Sequence, residues 1–146
     1  IIKEKKIEKL FLESHWAYKN RIQEMRDYFE IPITFKIGVE TFDYDFRNGY
    51  LNKNAKFKTV EELKEYFDSP CIMVGIKGQT KEMIDRDMDI VLNNFDHATI
   101  NVFVNNTSSV KRDEELVNWF SNKYNHLVDN PKIEVLFNNT DFGVGD

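Results

Sequence analysis

Strand-sized apolar runs alternate with helix-period segments along this chain, and that alternation leaves few folds open. The sequence Cys71-Ile-Met-Val-Gly-Ile76 is an almost unbroken apolar run, the signature of a strand buried on both faces. Ile33-Thr-Phe-Lys-Ile-Gly-Val39 is a second strand by its β-branched and aromatic content. Two more are expected at about Ala98–Val104 and Ile133–Phe137. Between them lie helical segments. Thr59-x-x-Glu62 is a capping box that opens one, ended by Ser69-Pro70. Thr80 caps another, Lys81–Phe95, and a third spans Arg112–Leu127. Residues 1–30 read as a leading helix from the three-and-four spacing of Ile7, Leu10, Phe11, Tyr18, Ile22, Met25 and Phe29, with a possible new start at Ser14–Trp16. It must end before Pro32, because a residue preceding proline is pushed out of the α region.

The order α-β-α-β-α-β-α-β implies an α/β fold with a parallel sheet. The whole chain, 1–146, reads as one domain, with the strand–helix repeats in 31–146. Two architectures compete: an open doubly wound sheet, flavodoxin-like in outline, and a partial β/α barrel of about four βα units. Four strands cannot close a barrel, so the second reading calls for a missing partner segment.

Composition narrows the function. Twelve Phe and 41% apolar residues suffice for a core. A formal charge of −5 disfavours binding to a phosphate backbone, so no nucleic-acid partner is expected. No apolar run approaches the roughly 18 residues of a membrane helix, so no membrane partner is expected either. Cys71 is the only cysteine, which excludes an internal disulfide and fits a reducing, cytoplasmic setting. The chain starts at Ile1 rather than Met, and a cut or processed chain is therefore expected.

In both architectures ligands collect at the C-terminal strand ends. Here these are Gly38-Val-Glu-Thr41, Gly75-Ile-Lys-Gly-Gln-Thr80, Asn101–Thr107 and Asn138-Asn-Thr-Asp141, polar or glycine-rich ends on apolar strands. Side chains alternate along a strand, so Lys36, Gly38 and Glu40 share a face, as do Asn101 and Asn105. Charged groups on a buried strand are costly unless they are paired or bound to something polar. These residues are expected to form the inward set of a barrel around a polar ligand.

Phe35-Lys-Ile-Gly-Val-Glu-Thr-Phe-Asp43 followed by Met73-Val-Gly-Ile-Lys-Gly-Gln-Thr80 resembles two successive strand ends of radical S-adenosylmethionine enzymes. The likeness runs from about Ile31 to the C-terminus, with Asn101–Asn105, Arg112-Asp-Glu-Glu115 and the tail Asn139–Gly143 matching later strands. It implies the C-terminal half of that family's barrel domain. S-adenosylmethionine and a [4Fe–4S] cluster then belong to a parent enzyme that forms a 5′-deoxyadenosyl radical. The family's Cys-x-x-x-Cys-x-x-Cys loop is absent, and one cysteine cannot hold a cluster. The resemblance therefore implies that this chain binds no cofactor alone, is inactive alone, and lacks the N-terminal half as partner. Carried over by position, Gly38 and Glu40 fall near the cofactor's ribose and amino-acid ends. Gly75, Ile76 and Gly78 fall beside the adenine, Asn101 and Asn105 toward cofactor or substrate, and Arg47 at the cofactor carboxylate. Lys77 stands where the family commonly has Pro. The substrate, small molecule, peptide or other, is not legible, and no catalytic residue is assigned. A half-barrel exposes two strand edges, so homo-oligomerisation is expected.

Other signals carry no function. Asp85-x-Asp87-x-Asp89 lacks the glycine of a calcium loop and lies in a helical pattern. The three histidines have no metal-ligand spacing. Asp141-Phe-Gly143 lacks the other kinase motifs.

Overall fold

The computed structural model describes residues 7–137. The Asn138–Asp146 tail, with its strand end and the Asn139–Gly143 match, lies outside the described residues, as does Asn138-Asn-Thr. Five parallel strands lie in the order of the chain: β1 (Leu10–Glu13), β2 (Ile33–Glu40), β3 (Ser69–Val74), β4 (Ala98–Val102) and β5 (Ile133–Leu136). Helices α1 (Ile22–Phe29), α2 (Val60–Lys64), α3 (Lys81–Asn94) and α4 (Glu114–Lys123) fill the crossovers. Among the described residues no helix is long and apolar enough to cross a membrane.

Residues 1–30 are not one leading helix. Leu10-Phe-Leu-Glu13 pairs with β2 in parallel register, tied by Leu10 N–H to the Pro32 carbonyl and Ser14 N–H to the Lys36 carbonyl, both at 3.0 Å. The alternation that sends Leu10 and Leu12 onto the core outweighs the helical spacing. The break expected at Ser14–Trp16 is present. His15 accepts from the Ala17 N–H (3.0 Å) and caps a 3₁₀ turn, Trp16–Arg21, that leads into α1. Tyr18 and Met25, part of the apolar spacing that suggested the helix, are exposed.

Two boundaries move for local reasons. Ser69-Pro70 belongs to β3 rather than breaking a helix. Pro70 sits near the strand's start, where a missing N–H costs least. Gly75-Ile76 leaves the strand, because Gly75 takes φ +92°. The two caps form as expected: Thr59 and Thr80 hydroxyls accept from Glu62 and Met83 N–H at 3.1 Å.

Strand parity separates two faces. Phe35, Ile37, Val39, Ile72, Val74, Ile100 and Val102 are fully buried against the helices. The opposite face carries Glu13, Lys36, Gly38, Cys71, Thr99, Asn101 and Glu134. One distance shows how strongly the sheet curls. β2 and β5 are separated by two strands, about 14 Å along a flat sheet. Lys36 Nζ nevertheless lies 3.8 Å from Glu134 Oε2. The sheet is thus a curled half-barrel with a polar concave face. A sequential order has no point of reversal, so the doubly wound, flavodoxin-like alternative does not apply.

Candidate functional site

The concave face holds a cleft of about 230 Å³ in which Lys36, Gly38, Glu40 and Asn101 converge as expected, joined by Glu13, Lys53, Cys71, Thr99 and Glu134. A shallower recess of about 160 Å³ shares Glu40 and Lys53 and continues to Ile76 and Phe103 at the strand ends. Three carboxylates face two ammonium groups in the cleft, which favours a cationic guest.

Glu40 is held in an unusual conformation. It adopts φ +67°, left-handed for a residue with a Cβ, where the β2–β3 register shifts. Such strain at a strand tip persists only where the surroundings impose it. The ladder to β3 is irregular at this residue, and its carboxylate pairs with Lys53 Nζ, 3.0 Å from Glu40 Oε1. Lys53 is fixed in turn through its backbone: its N–H donates to the Arg47 carbonyl (2.9 Å), and its carbonyl bonds His15 Nε2 (3.0 Å). Gly38 lies beside this pair, and a Cβ there would come within 3.0 Å of Lys53 Nζ.

Arg47 corrects its expected role. Its guanidinium is 1% exposed and donates to the carbonyls of Ala55 (2.8 Å), Thr41 (3.1 Å) and Phe57 (2.6 Å), stacked 3.8 Å from the Phe57 ring. Burial lowers its pKa to about 10. It fastens the segment that carries Lys53, and at this burial it does not line the cleft.

The Gly75–Gly78 turn forms where expected. Gly75 and Gly78 both take positive φ, +92° and +99°. Gln79 closes the turn: its Oε1 accepts from the N–H groups of Gly75 (3.0 Å) and Ile76 (3.2 Å), and its Nε2 donates to the Met73 carbonyl (2.8 Å). Gly78 abuts the stacked rings of Phe46 and Tyr50, whose centroids lie 4.6 Å apart.

Asn101 and Asn105 do not share a face. β4 ends at Val102, and Asn105 stands in the exposed loop beyond, where its side chain accepts from the Arg112 N–H (2.9 Å). Asn101 is 7% exposed, lines the cleft, and its Oδ1 has no hydrogen-bond partner among the described residues.

Cys71 faces this cleft rather than the helix side, and burial pushes its thiol up to about 11. It is inert as a thiolate at neutral pH. Among the described residues no group of three His, Cys, Asp or Glu could hold a metal ion. A four-iron cluster therefore does not fit the donors of this chain. The triplet of aspartates diverges as expected of a helix. Asp85 bonds Lys123 (2.8 Å) and the Tyr124 hydroxyl, while Asp87 is fully buried.

Asp87 braces the loop that follows Glu40. Its Oδ1 accepts from the Phe42 N–H (2.8 Å), and its Oδ2 has no partner among the described residues. Burial raises its pKa to about 7. The folded chain then holds this proton up to about pH 7, while the unfolded chain releases it near ~3.9. Between those values the folded state binds more protons at this site, so the contribution of Asp87 to stability is largest at low pH and is lost as pH rises toward 7. Asp87→Asn keeps an acceptor for Phe42 and is expected to shrink the fall in melting temperature between pH 5 and pH 8. An unchanged pH dependence in thermal denaturation would remove this assignment.

Sequence reasoning missed Glu13, Lys53, Thr99 and Glu134. Period-two alternation in Ile133-Glu-Val135 and in Thr99-Ile-Asn101 marks Glu134 and Thr99 as inward. Nothing local marks Lys53, which arrives from a loop.

No protein-family model matches the chain, and no curated protein matches it. Among solved structures, a queuine lyase from Clostridium spiroforme bound to SAM and queuine superposes with a TM-score of 0.95 at 53% sequence identity. The match covers 100% of this chain and 64% of that one, so the chain spans somewhat less than two thirds of its neighbour's length.

Proposed function

Since the chain belongs to the radical S-adenosylmethionine superfamily and forms part of its barrel, we propose that it is a portion of an enzyme that acts on queuine or a closely related base. The 53% identity to a structure holding both SAM and queuine carries this reading. The concave face supports it. SAM combines a sulfonium, an ammonium and ribose hydroxyls. A strand tip with a bare Gly38 backbone, the constrained Glu40 carboxylate and the Gly75–Gly78 turn suits those groups.

In this reading Glu40 takes a cationic or hydroxyl group of the cofactor, and Lys53 holds that carboxylate in place. Gly38, which lines the cleft, lets the ligand approach the backbone. When bound beside a cluster, the cofactor supplies the radical that takes a hydrogen atom from the substrate. The cluster's thiolates come from outside residues 1–146, because Cys71 is single, half-buried and poorly ionised. A cytoplasmic, reducing setting goes with such a centre.

The test is anaerobic reconstitution. The complete barrel, with iron, sulfide, SAM and a reductant, is expected to form 5′-deoxyadenosine in a queuine-dependent manner. Residues 1–146 alone are expected to form none, and to self-associate through the outer edges of β1 and β5 in analytical ultracentrifugation. A reading frame upstream of Ile1 without a three-cysteine loop would end the proposal. A chain that stays monomeric at high concentration would contradict the edge argument.

A further inference from the structure

The concave face has a second layer below Glu40, and its chemistry differs from that of the strand tips. Asn101 lines the cleft, and its side-chain acceptor is buried and without a partner among the described residues. A buried, unpaired amide oxygen is costly unless a donor arrives. Glu134 stands on the neighbouring strand, opposite Thr99 and therefore diagonal to Asn101, about 8 Å away along the sheet. Thr99 Oγ1 (3.5 Å) and Lys36 Nζ (3.8 Å) both approach Glu134 Oε2, so Oε1 takes no part in either contact. Glu13 lies in the same cleft, and no ion pair or hydrogen bond engages its carboxylate among the described residues. The layer thus offers spare acceptors and no spare donor apart from Lys36 and the Asn101 amino group.

We infer that this layer reads the hydrogen-bond-donating edge of a guanine-like base. Asn101 Oδ1 and Glu134 accept from its ring N–H and exocyclic amino group, and Asn101 sets specificity. The inference rests on the reading of the chain as part of a SAM-dependent enzyme acting on a deazaguanine base, and it assigns the base to this layer rather than to the strand tips. Guanine-type bases present a ring N–H beside an exocyclic NH₂ donor, which pairs naturally with amide and carboxylate oxygens. Glu13 is left to meet a cationic amine carried by the base. Lys36 Nζ lies 3.8 Å from Glu134 Oε2 and helps to hold that carboxylate over the layer.

The experiment is calorimetric titration of the complete protein with queuine, with a queuine analogue lacking the exocyclic amino group, and with SAM. Asn101→Leu, close in size and without an acceptor, is expected to weaken queuine binding about 10-fold or more. It should also narrow the preference over the analogue, because a site loses discrimination with the group that pairs the missing donor. SAM affinity should stay within about twofold. Asn101→Asp, which retains an acceptor, should keep the preference, and it guards against a folding defect in the leucine variant. Unchanged queuine binding in Asn101→Leu overturns the inference. So does a leucine variant that weakens SAM and queuine equally while melting like the wild type. Failure of the wild-type protein to bind SAM would instead reject the enzymatic reading itself.

Discussion

Replacing Arg47 with Met is expected to lower the melting temperature of the complete protein by about 8–15 °C, corresponding to a loss of about 3–5 kcal/mol. The three carbonyls it serves belong to Thr41, Ala55 and Phe57, and no other donor in the segment reaches them. Removing the guanidinium leaves buried acceptors without partners, which costs about 1–3 kcal/mol apiece before any relaxation. The stacking on Phe57 is lost as well. Lys is a poor substitute, because one compact ammonium cannot span three carbonyls as a planar fork does. The same change should loosen Lys53, whose N–H bonds the Arg47 carbonyl, and so release Glu40. A methionine variant that melts within about 2 °C of the wild type would show that water serves these carbonyls equally well.

Gly75→Ala is expected to cost about 2–4 kcal/mol, from two separable sources. At φ +92° any residue with a Cβ is strained. The added methyl would also collide with the Val117 side chain on α4. Val117→Ala in the Gly75→Ala background should recover the collision and leave the backbone strain. The double-mutant cycle then shows a coupling of about 1 kcal/mol or more in favour of the pair. Additive losses would mean that α4 moves aside and the close approach of helix to turn has no energetic weight. Both variants act on the support of the strand tips, so each is expected to weaken SAM binding through position rather than through lost contacts.

What could be read from residues alone follows from where the fold is decided. Runs such as Ile33–Val39 and Cys71–Ile76 fix strands because burial on the helix side admits only apolar residues there. Parity then placed Lys36, Gly38 and Glu40 on one face, which the cleft bears out. Leu10–Glu13 was hidden because four residues satisfy both periods, and only the ladder to β2 chooses between them. Asn105 was misplaced because parity holds only while the chain remains a strand, and β4 stops at Val102. Arg47 was placed at the cofactor carboxylate by positional resemblance alone, and position does not show that its guanidinium serves the backbone carbonyls of Thr41, Ala55 and Phe57. Lys53 left no trace, since its partnership with Glu40 depends on the Phe46–Tyr50 turn folding back over the strand tip.

The central claim is that one polar concave face, from Glu40 at the strand tip down to Asn101 and Glu134, receives both cofactor and substrate. Its most direct test is a crystal structure of the complete barrel grown with S-adenosylmethionine and queuine. The account predicts cofactor density against Gly38, Glu40 and the Gly75–Gly78 turn, with the base's amino edge against Asn101. Density for both ligands elsewhere, with the Lys53–Glu40 pair and the Asn101 amide facing only solvent, would contradict it.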